Sequence, residues 1–302
     1  MINRFSPKFK SLYTHSDLQY QNLIRNVIGC GELKKTRNGA TVSLFGQQMV
    51  FGLQNNSIPL LTTKKMAWKT CIKELLWFIS GDTDNQILTK KNVKIWNGNA
   101  SEEFKKSRGL DYKNKGDLGP IYGHQWRHFN AEYKDCKTDY SNQGIDQLQN
   151  IINSLNDPEE RFSRRLLMSS WNPCQLDEMV LPPCHVLTQF HVNKKNELSC
   201  MLYQRSGDVG LGIPFNMASY GILTCLLAQH TGLQPGKLIH NIGDAHIYEN
   251  HIPELKNQNK RSPFPSPILT INRRHMIDDY NLEDFQINNY KYHPSIYMPM
   301  IA

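Results

Sequence analysis

Cys184 lies in LPPCHVLTQFHV, where Pro182 and Pro183 fix the backbone just before the thiol and a strand-like run follows it. A thiol held in this way can act as a nucleophile, although a cysteine is as readily a small buried apolar residue. His185 is a poor partner for it, because successive side chains on a strand point to opposite faces, so activation would have to come from cations that lower the thiol pKa. Arg37, Arg164, Arg165 and Arg205 are candidates, with Ser206 adding a hydroxyl donor. Guanidinium forks converging on one point suit a phosphate dianion, whereas singly each is an ordinary surface residue. Glu74, in KELLWF, neighbours an apolar helical stripe and can be partly buried with a raised pKa suited to proton transfer, or lie on the helix surface beside Lys73. Asn216, in IPFNMASY, can read a base edge with its donor and acceptor faces or make a local cap. His246 and Tyr248 in GDAHIY are two apart, on one face of a strand, and both can reach one ligand.

These residues need elements to hold them. Residues 17–28 carry apolar positions at helical spacing, ended by Gly29 and Gly31. Residues 41–53, TVSLFGQQMVFGL, read as a strand in which Gly46 and Gly52 predict bulges or a turn. KKMAWKTCIKELLWFISG carries Trp68, Cys71, Ile72, Leu75, Leu76 and Ile79 at a period of about 3.6, the strongest helix signal in the chain. Residues 96–140 are rich in Gly, Asn, Lys and Asp and read as long loops around a short ordered GDLGPIYGHQWR. A helix over 145–155 precedes strands at RLLMSSWN, HVLTQFHV and ELSCMLYQRSG. A long helix over 214–230 begins with Pro in its first turn, and strands at KLIHNIGDAHIY and SPILTINR follow. No linker or repeat divides the chain, which predicts a polar extension over 1–16 and one α+β domain over 17–302, a mixed twisted sheet with helices on one side.

Composition narrows the class further. The chain has 302 residues, 39% of them hydrophobic and 21% charged, which excludes disorder and coiled coil. The net charge of +8, from 35 Lys and Arg against 27 Asp and Glu, favours anionic partners without choosing among nucleotide, folate glutamate and nucleic acid. Seven cysteines without a CxxC pair argue against a disulfide framework or structural zinc and for a reducing, cytoplasmic setting. No apolar run is long enough for a leader or a membrane span.

Taken in order from about residue 17 to the C-terminus, TTKKMAWKTCIKELLWF, VKIWNGN, GDLGPIYGHQWRHF, LPPCHVLTQF, LYQRSGDVGLGIPFNMASY and GDAHIYENH resemble segments of the thymidylate synthase family. The resemblance implies a methyltransferase of dTMP biosynthesis that methylates dUMP at C5 with 5,10-methylenetetrahydrofolate, which also supplies the hydride and leaves as dihydrofolate; no metal is needed. It implies Cys184 as the nucleophile on C6, Glu74 for proton transfers, Tyr122 near the C5 proton, and Arg205 serving both phosphate and thiol. Around dUMP it places Arg37, Arg205, Ser206, Gly207, Asp208, Asn216, His246 and Tyr248, with Arg164 and Arg165 given to the partner of a sheet-to-sheet homodimer. Around folate it places Trp96, Asn99, Asp208, Leu211, Gly212 and Phe215, Lys64 toward the glutamate tail, and Ile301 and Ala302 in a closing C-terminal segment. The loop that reads DRTGTGT in the family is TRNGAT here, one residue shorter around Arg37, and stretches at 101–115 and 131–142 resemble the longer eukaryotic and large-DNA-virus enzymes. A related deoxycytidylate hydroxymethylase would carry Asp at position 216, so Asn216 favours uracil. A non-catalytic nucleic-acid-binding protein would show an RNA-binding motif; none is present, although RNA binding is reported for family members and nuclear entry is left open.

Overall fold

The computed structural model describes residues 15–36 and 39–300. In chain order the elements are α1 (Ser16–Cys30), β1 (Glu32–Thr36), β2 (Gly39–Gly52), α2 (Trp68–Ile79), α3 (Asn85–Lys90), α4 (Glu102–Ser107), α5 (Tyr122–His128), α6 (Gln147–Asn156), β3 (Leu167–Ser169), β4 (His185–Val192), β5 (Glu197–Asp208), α7 (Gly212–His230), β6 (Gln234–Tyr248), α8 (Ile252–Gln258), β7 (Ile268–Ile271) and β8 (Phe285–Asn288). Six strands form one mixed sheet in the order β1-β2-β6-β5-β4-β3, in which β5 and β6 run parallel and the other neighbours antiparallel. β7 and β8 form a separate two-stranded ribbon. The expected single α+β domain with a mixed sheet is what the chain forms.

The parallel pair fixes the centre, because two parallel neighbours need a crossover and α7 supplies it. α7 packs on β5 and β6 and is buried nearly all round, so its sequence is apolar on every side rather than striped. α2 packs on α7 and buries Cys71, Ile72, Leu75, Trp77, Phe78 and Ile79, whereas the striped Leu76 is only half-buried. The opposite face of the sheet is uncovered. In register across five of its strands stand Leu167, Gln189, Met201, Ile239 and Val50, and beside them Ser169, Leu187, Tyr203, Asn241 and Gln48. Leu167, Met201 and Tyr203 are each 42% exposed and Leu187 38%.

Two sequence expectations change here. Gly46 adopts a positive φ of 78°, but the β2–β6 register runs through it without slipping, so no bulge forms. Register shifts fall instead between Leu198 and Cys200 and, immediately after Cys184, between His185 and Leu187, where His185 is left on the covered face. The loops of 96–140 are also more ordered than their composition implies. Lys105 is fully buried, with Nζ donating to the carbonyls of Lys113 (2.8 Å) and Asn114 (3.1 Å). Tyr133 stacks on Tyr140 and donates to Asp117 at 2.7 Å.

A buried carboxylate ties the ends of the domain to the segment that precedes α2. Asp17, 0% exposed, accepts from the backbone N–H groups of Thr62 (3.0 Å) and Thr63 (2.8 Å) and from both their hydroxyls. Thr62 Oγ1 accepts from the N–H of Phe264, Thr63 Oγ1 accepts from Gln258, and the Thr62 carbonyl accepts from the N–H of His293.

Candidate active site

The ends of β5 and β6, the first turn of α7, the middle of α2 and the start of α5 converge on a cavity of about 710 Å³. Its position at the carboxyl ends of parallel strands is where open sheets commonly bind ligands. Of the residues singled out in the sequence, Glu74, Trp96, Asn99, Tyr122, Cys184, Arg205, Ser206, Asp208, Gly212, Asn216, His246 and Tyr248 line it. Cys184 is the only one of the seven cysteines to do so, whereas Cys71, Cys200 and Cys225 are buried elsewhere.

Two prolines before the thiol have a structural use beyond stiffness. Their carbonyls point at Arg205, whose Nε donates to Pro183 at 2.9 Å and whose terminal nitrogen donates to Pro182 at 2.8 Å. The guanidinium, packed against the Trp171 ring at 5.5 Å, is thereby held beside the thiol. Burial pushes the Cys184 thiol above its ordinary pKa and Arg205 pulls it back; within one chain burial is the larger effect. Expected activation by Arg205 therefore has the right sign but is outweighed.

Tyr122 opens α5, and its hydroxyl oxygen accepts the N–H of Cys184 at 2.7 Å and that of His185 at 3.4 Å. Burial raises its pKa strongly, so the phenol stays protonated and its own O–H remains a donor. Glu74 is enclosed by an aromatic wall of Trp77, Phe78, Trp96 and Tyr122. Trp96 Nε1 donates to its carboxylate at 2.7 Å. Burial raises the Glu74 pKa to about 7 against that hydrogen bond, so near neutral pH the group can give or take a proton.

Asn216 lies one turn into α7, its Oδ1 accepting from Gln204 Nε2 at 2.9 Å. His246 and Tyr248 share a face of β6, rings 5.6 Å apart, and His246 Nδ1 stands 3.4 Å from Asp244, which accepts from Ser43 at 2.8 Å. Asp208 accepts from the N–H of Gly210 at 2.8 Å. The C-terminal stretch reaches the cavity through Met300, and His251 bonds the Pro299 carbonyl at 2.8 Å.

Other predicted residues sit elsewhere. Arg164 and Arg165 are exposed and outside this cavity, at the start of β3 beside the uncovered sheet face. Lys64 is buried with its ammonium on the Gly210 carbonyl at 2.8 Å, and burial lowers its pKa to about 8. Leu211, Phe215 and the buried Gly207 flank the cavity in sequence without lining it. Arg37, Ile301 and Ala302 lie outside the described residues. Conversely, Gln204, His185, Thr41, Lys34 and Asp244 line the cavity and had not been singled out as binding residues. Gln204 had a readable signal, its spacing of two from Ser206 and of four from Asp208 on one strand; His185 had none, because the irregularity after it reverses the alternation. Among the described residues no group of three or more His, Cys, Asp or Glu side chains is placed to hold a metal ion, and no helix is long and apolar enough to cross a membrane.

Known proteins resemble this chain over nearly its whole described length. The family model for thymidylate synthase matches residues 18–302. Human thymidylate synthase is 52% identical over 289 residues, covering 95% of this chain and 91% of that protein. The thymidylate synthase of equine herpesvirus 2 is 50% identical over 291 residues, 96% of this chain and 99% of that one. The bifunctional dihydrofolate reductase-thymidylate synthase of Leishmania major is 49% identical over 290 residues, and the chain spans 55% of its length.

Proposed function

The chain belongs to the thymidylate synthase family, a methyltransferase that converts dUMP to dTMP with methylenetetrahydrofolate as co-substrate, and from that premise we propose how its own residues perform the reaction. The observation that carries the reading is a lone cavity cysteine flanked by a guanidinium, a neutral phenol and a carboxyl group tuned to neutrality.

Bound dUMP places its phosphate against Arg205 and Ser206, its ribose hydroxyl against His246 and Tyr248, and its uracil edge against Asn216. A phosphate accepting from Arg205 adds negative charge that needs further cationic donors around it, and a second pair of guanidiniums there would tip the Cys184 balance toward thiolate. The thiolate adds to C6, forming the S–C bond and making C5 nucleophilic. Methylenetetrahydrofolate supplies the one-carbon unit and the hydride that completes the methyl group. C5 bonds to that carbon as its bond to folate N10 opens. The C5 proton leaves through water bordered by Tyr122 and Glu74 as the bond to folate N5 breaks, leaving an exocyclic methylene. Hydride from the released tetrahydrofolate completes the methyl group, expels the Cys184 thiolate and leaves dihydrofolate. The apolar wall of Phe78, Ile95, Trp96 and Leu181 fits a pterin, with Asp208 for its polar edge and Met300 closing one side. Water exclusion there protects the covalent adduct.

Arg164 and Arg165 do not reach this cavity within one chain, and the uncovered face exposes the large apolar side chains Leu167, Leu187, Met201 and Tyr203 on three neighbouring strands. Both observations support a homodimer built on that face, in which these arginines complete the partner's phosphate site. Arg205 follows Met201 and Tyr203 at intervals of two on β5, so the phosphate site borders the same face. Seven unpaired thiols suit a reducing compartment such as the cytoplasm.

Incubation with 5-fluoro-dUMP and methylenetetrahydrofolate followed by mass spectrometry of peptides tests the assignment. A covalent adduct on Cys184, absent in Cys184→Ser, is expected; an adduct on Cys174 would overturn it.

A further inference from the structure

Behind the cavity wall, β6 carries a histidine that touches no substrate space. His240 is 0% exposed, opposite Leu202 on β5 and Met49 on β2, and its Nε2 lies 2.8 Å from Gln204 Oε1. The Gln204 amide nitrogen donates in two directions, to the Ser206 carbonyl at 2.9 Å and to Asn216 Oδ1 at 2.9 Å. A backbone carbonyl only accepts, so the Gln204 NH2 group must face Ser206, its oxygen must face His240, and the His240 Nε2 must carry the proton. His240 Nδ1 is buried with no hydrogen-bond partner, so a proton placed there would be a donor with no acceptor. Burial beside His185 keeps the ring neutral, with its pKa lowered to about 3.

The polarity then propagates to the base. With Oδ1 turned to Gln204, Asn216 keeps its NH2 group for a ring carbonyl and a second oxygen lone pair for a ring N–H. Uracil presents that pair at O4 and N3; cytosine presents the reverse. Reading cytosine would need an Asn216 flip that sets NH2 against NH2 at Gln204. Gln204 could relieve this only by turning its oxygen to the Ser206 carbonyl and its NH2 to His240, whose proton would then have to move to the buried, unpartnered Nδ1.

We propose that His240 is a positioning residue that locks the Gln204 amide and thereby the Asn216 amide, selecting uracil over cytosine from a position outside the cavity; this rests on Asn216 reading the base. The test compares kcat/KM for dUMP with that for dCMP, together with the dissociation constants of both nucleotides. His240→Phe, which keeps a ring and removes the donor, is expected to narrow the dUMP preference by about tenfold or more, the scale of one misdirected buried hydrogen bond, mainly through KM for dUMP. His240→Gln, which restores a donor, is expected to recover most of the preference. If Asn216→Ala leaves the preference intact, the base-reading assignment itself falls. If Asn216→Ala abolishes it while a folded His240→Phe keeps the wild-type ratio, the lock falls and the assignment stands. Nitrogen-15 spectra of the wild-type enzyme supply a measurement independent of folding: Nε2–H with a bare Nδ1 across the neutral range supports the lock, and an Nδ1–H tautomer overturns it.

Discussion

Met201 and Leu202 are consecutive residues of β5, yet Leu202 is 0% exposed beneath the helices and Met201 is 42% exposed on the uncovered face. The covered face is a finished interior. It holds the core, the Gln204–His240 lock and one wall of the cavity. The uncovered face carries large apolar side chains, Leu167, Leu187, Met201 and Tyr203, among polar ones, and none of the cover. The difference teaches that the core closes within one chain, while on the proposed reading the phosphate end of the site is completed by a second.

The largest effect that would break this comparison comes from charge on the uncovered face. Met201→Glu is expected to leave secondary structure intact, dissociate the homodimer in sedimentation velocity, and reduce turnover about 100-fold or more through loss of the shared phosphate site; a fully active monomer would sink the shared-site reading. One residue along, Leu202→Ala is expected to cost about 2–5 kcal/mol in denaturant unfolding with no change of oligomeric state once folded. Arg164→Ala and Arg165→Ala sharpen the point at the boundary. Each is expected to raise KM for dUMP about 10-fold to 100-fold, the worth of one charge-assisted bond, with thermal stability nearly unchanged. In mixed dimers with Cys184→Ser, one fully functional site should survive; proportional loss in every mixture would argue that the arginines act within their own chain.

The smallest effect belongs to Glu74. Its folded pKa is raised from 4.5 to about 7, so the stability it contributes is full below 4.5 and lost as pH rises through 7. Glu74→Gln is expected to remove that slope from the stability profile and to flatten the corresponding limb of the kcat profile. An unchanged slope would place the titration on another group.

Much of this was readable in the sequence where one physical signal dominates. α2 declares itself by its stripe, and α7 by an apolar run too long for a strand, with Pro214 in its first turn. Cys184, Glu74 and Asn216 were found because unusual neighbours surround them, prolines in one case and apolar helix in the others. What was missed depends on tertiary context. α3, α4 and α5 are of six or seven residues, too short for periodicity to register, and are held by contacts such as the buried Lys105. β1 and β8 gain their identity only from the strands beside them. His185 was assigned by alternation to the wrong company because a register shift follows it. Lys64 looks like a free cation in sequence, yet the fold seats it on a carbonyl. No rule of spacing reports that Arg164 and Arg165 fall outside their own chain's cavity.

Asp17 has a consequence for how the molecule comes apart. Its carboxylate holds Thr62 and Thr63, which in turn hold Gln258, Phe264 and His293, so residues from the beginning, middle and end of the sequence meet at one dry joint. Opening any one of these segments strands the others' donors and acceptors without water. The first helix therefore cannot fray as an independent unit, and the amide protons around Thr62 exchange with solvent only when the whole domain opens, in a single cooperative event.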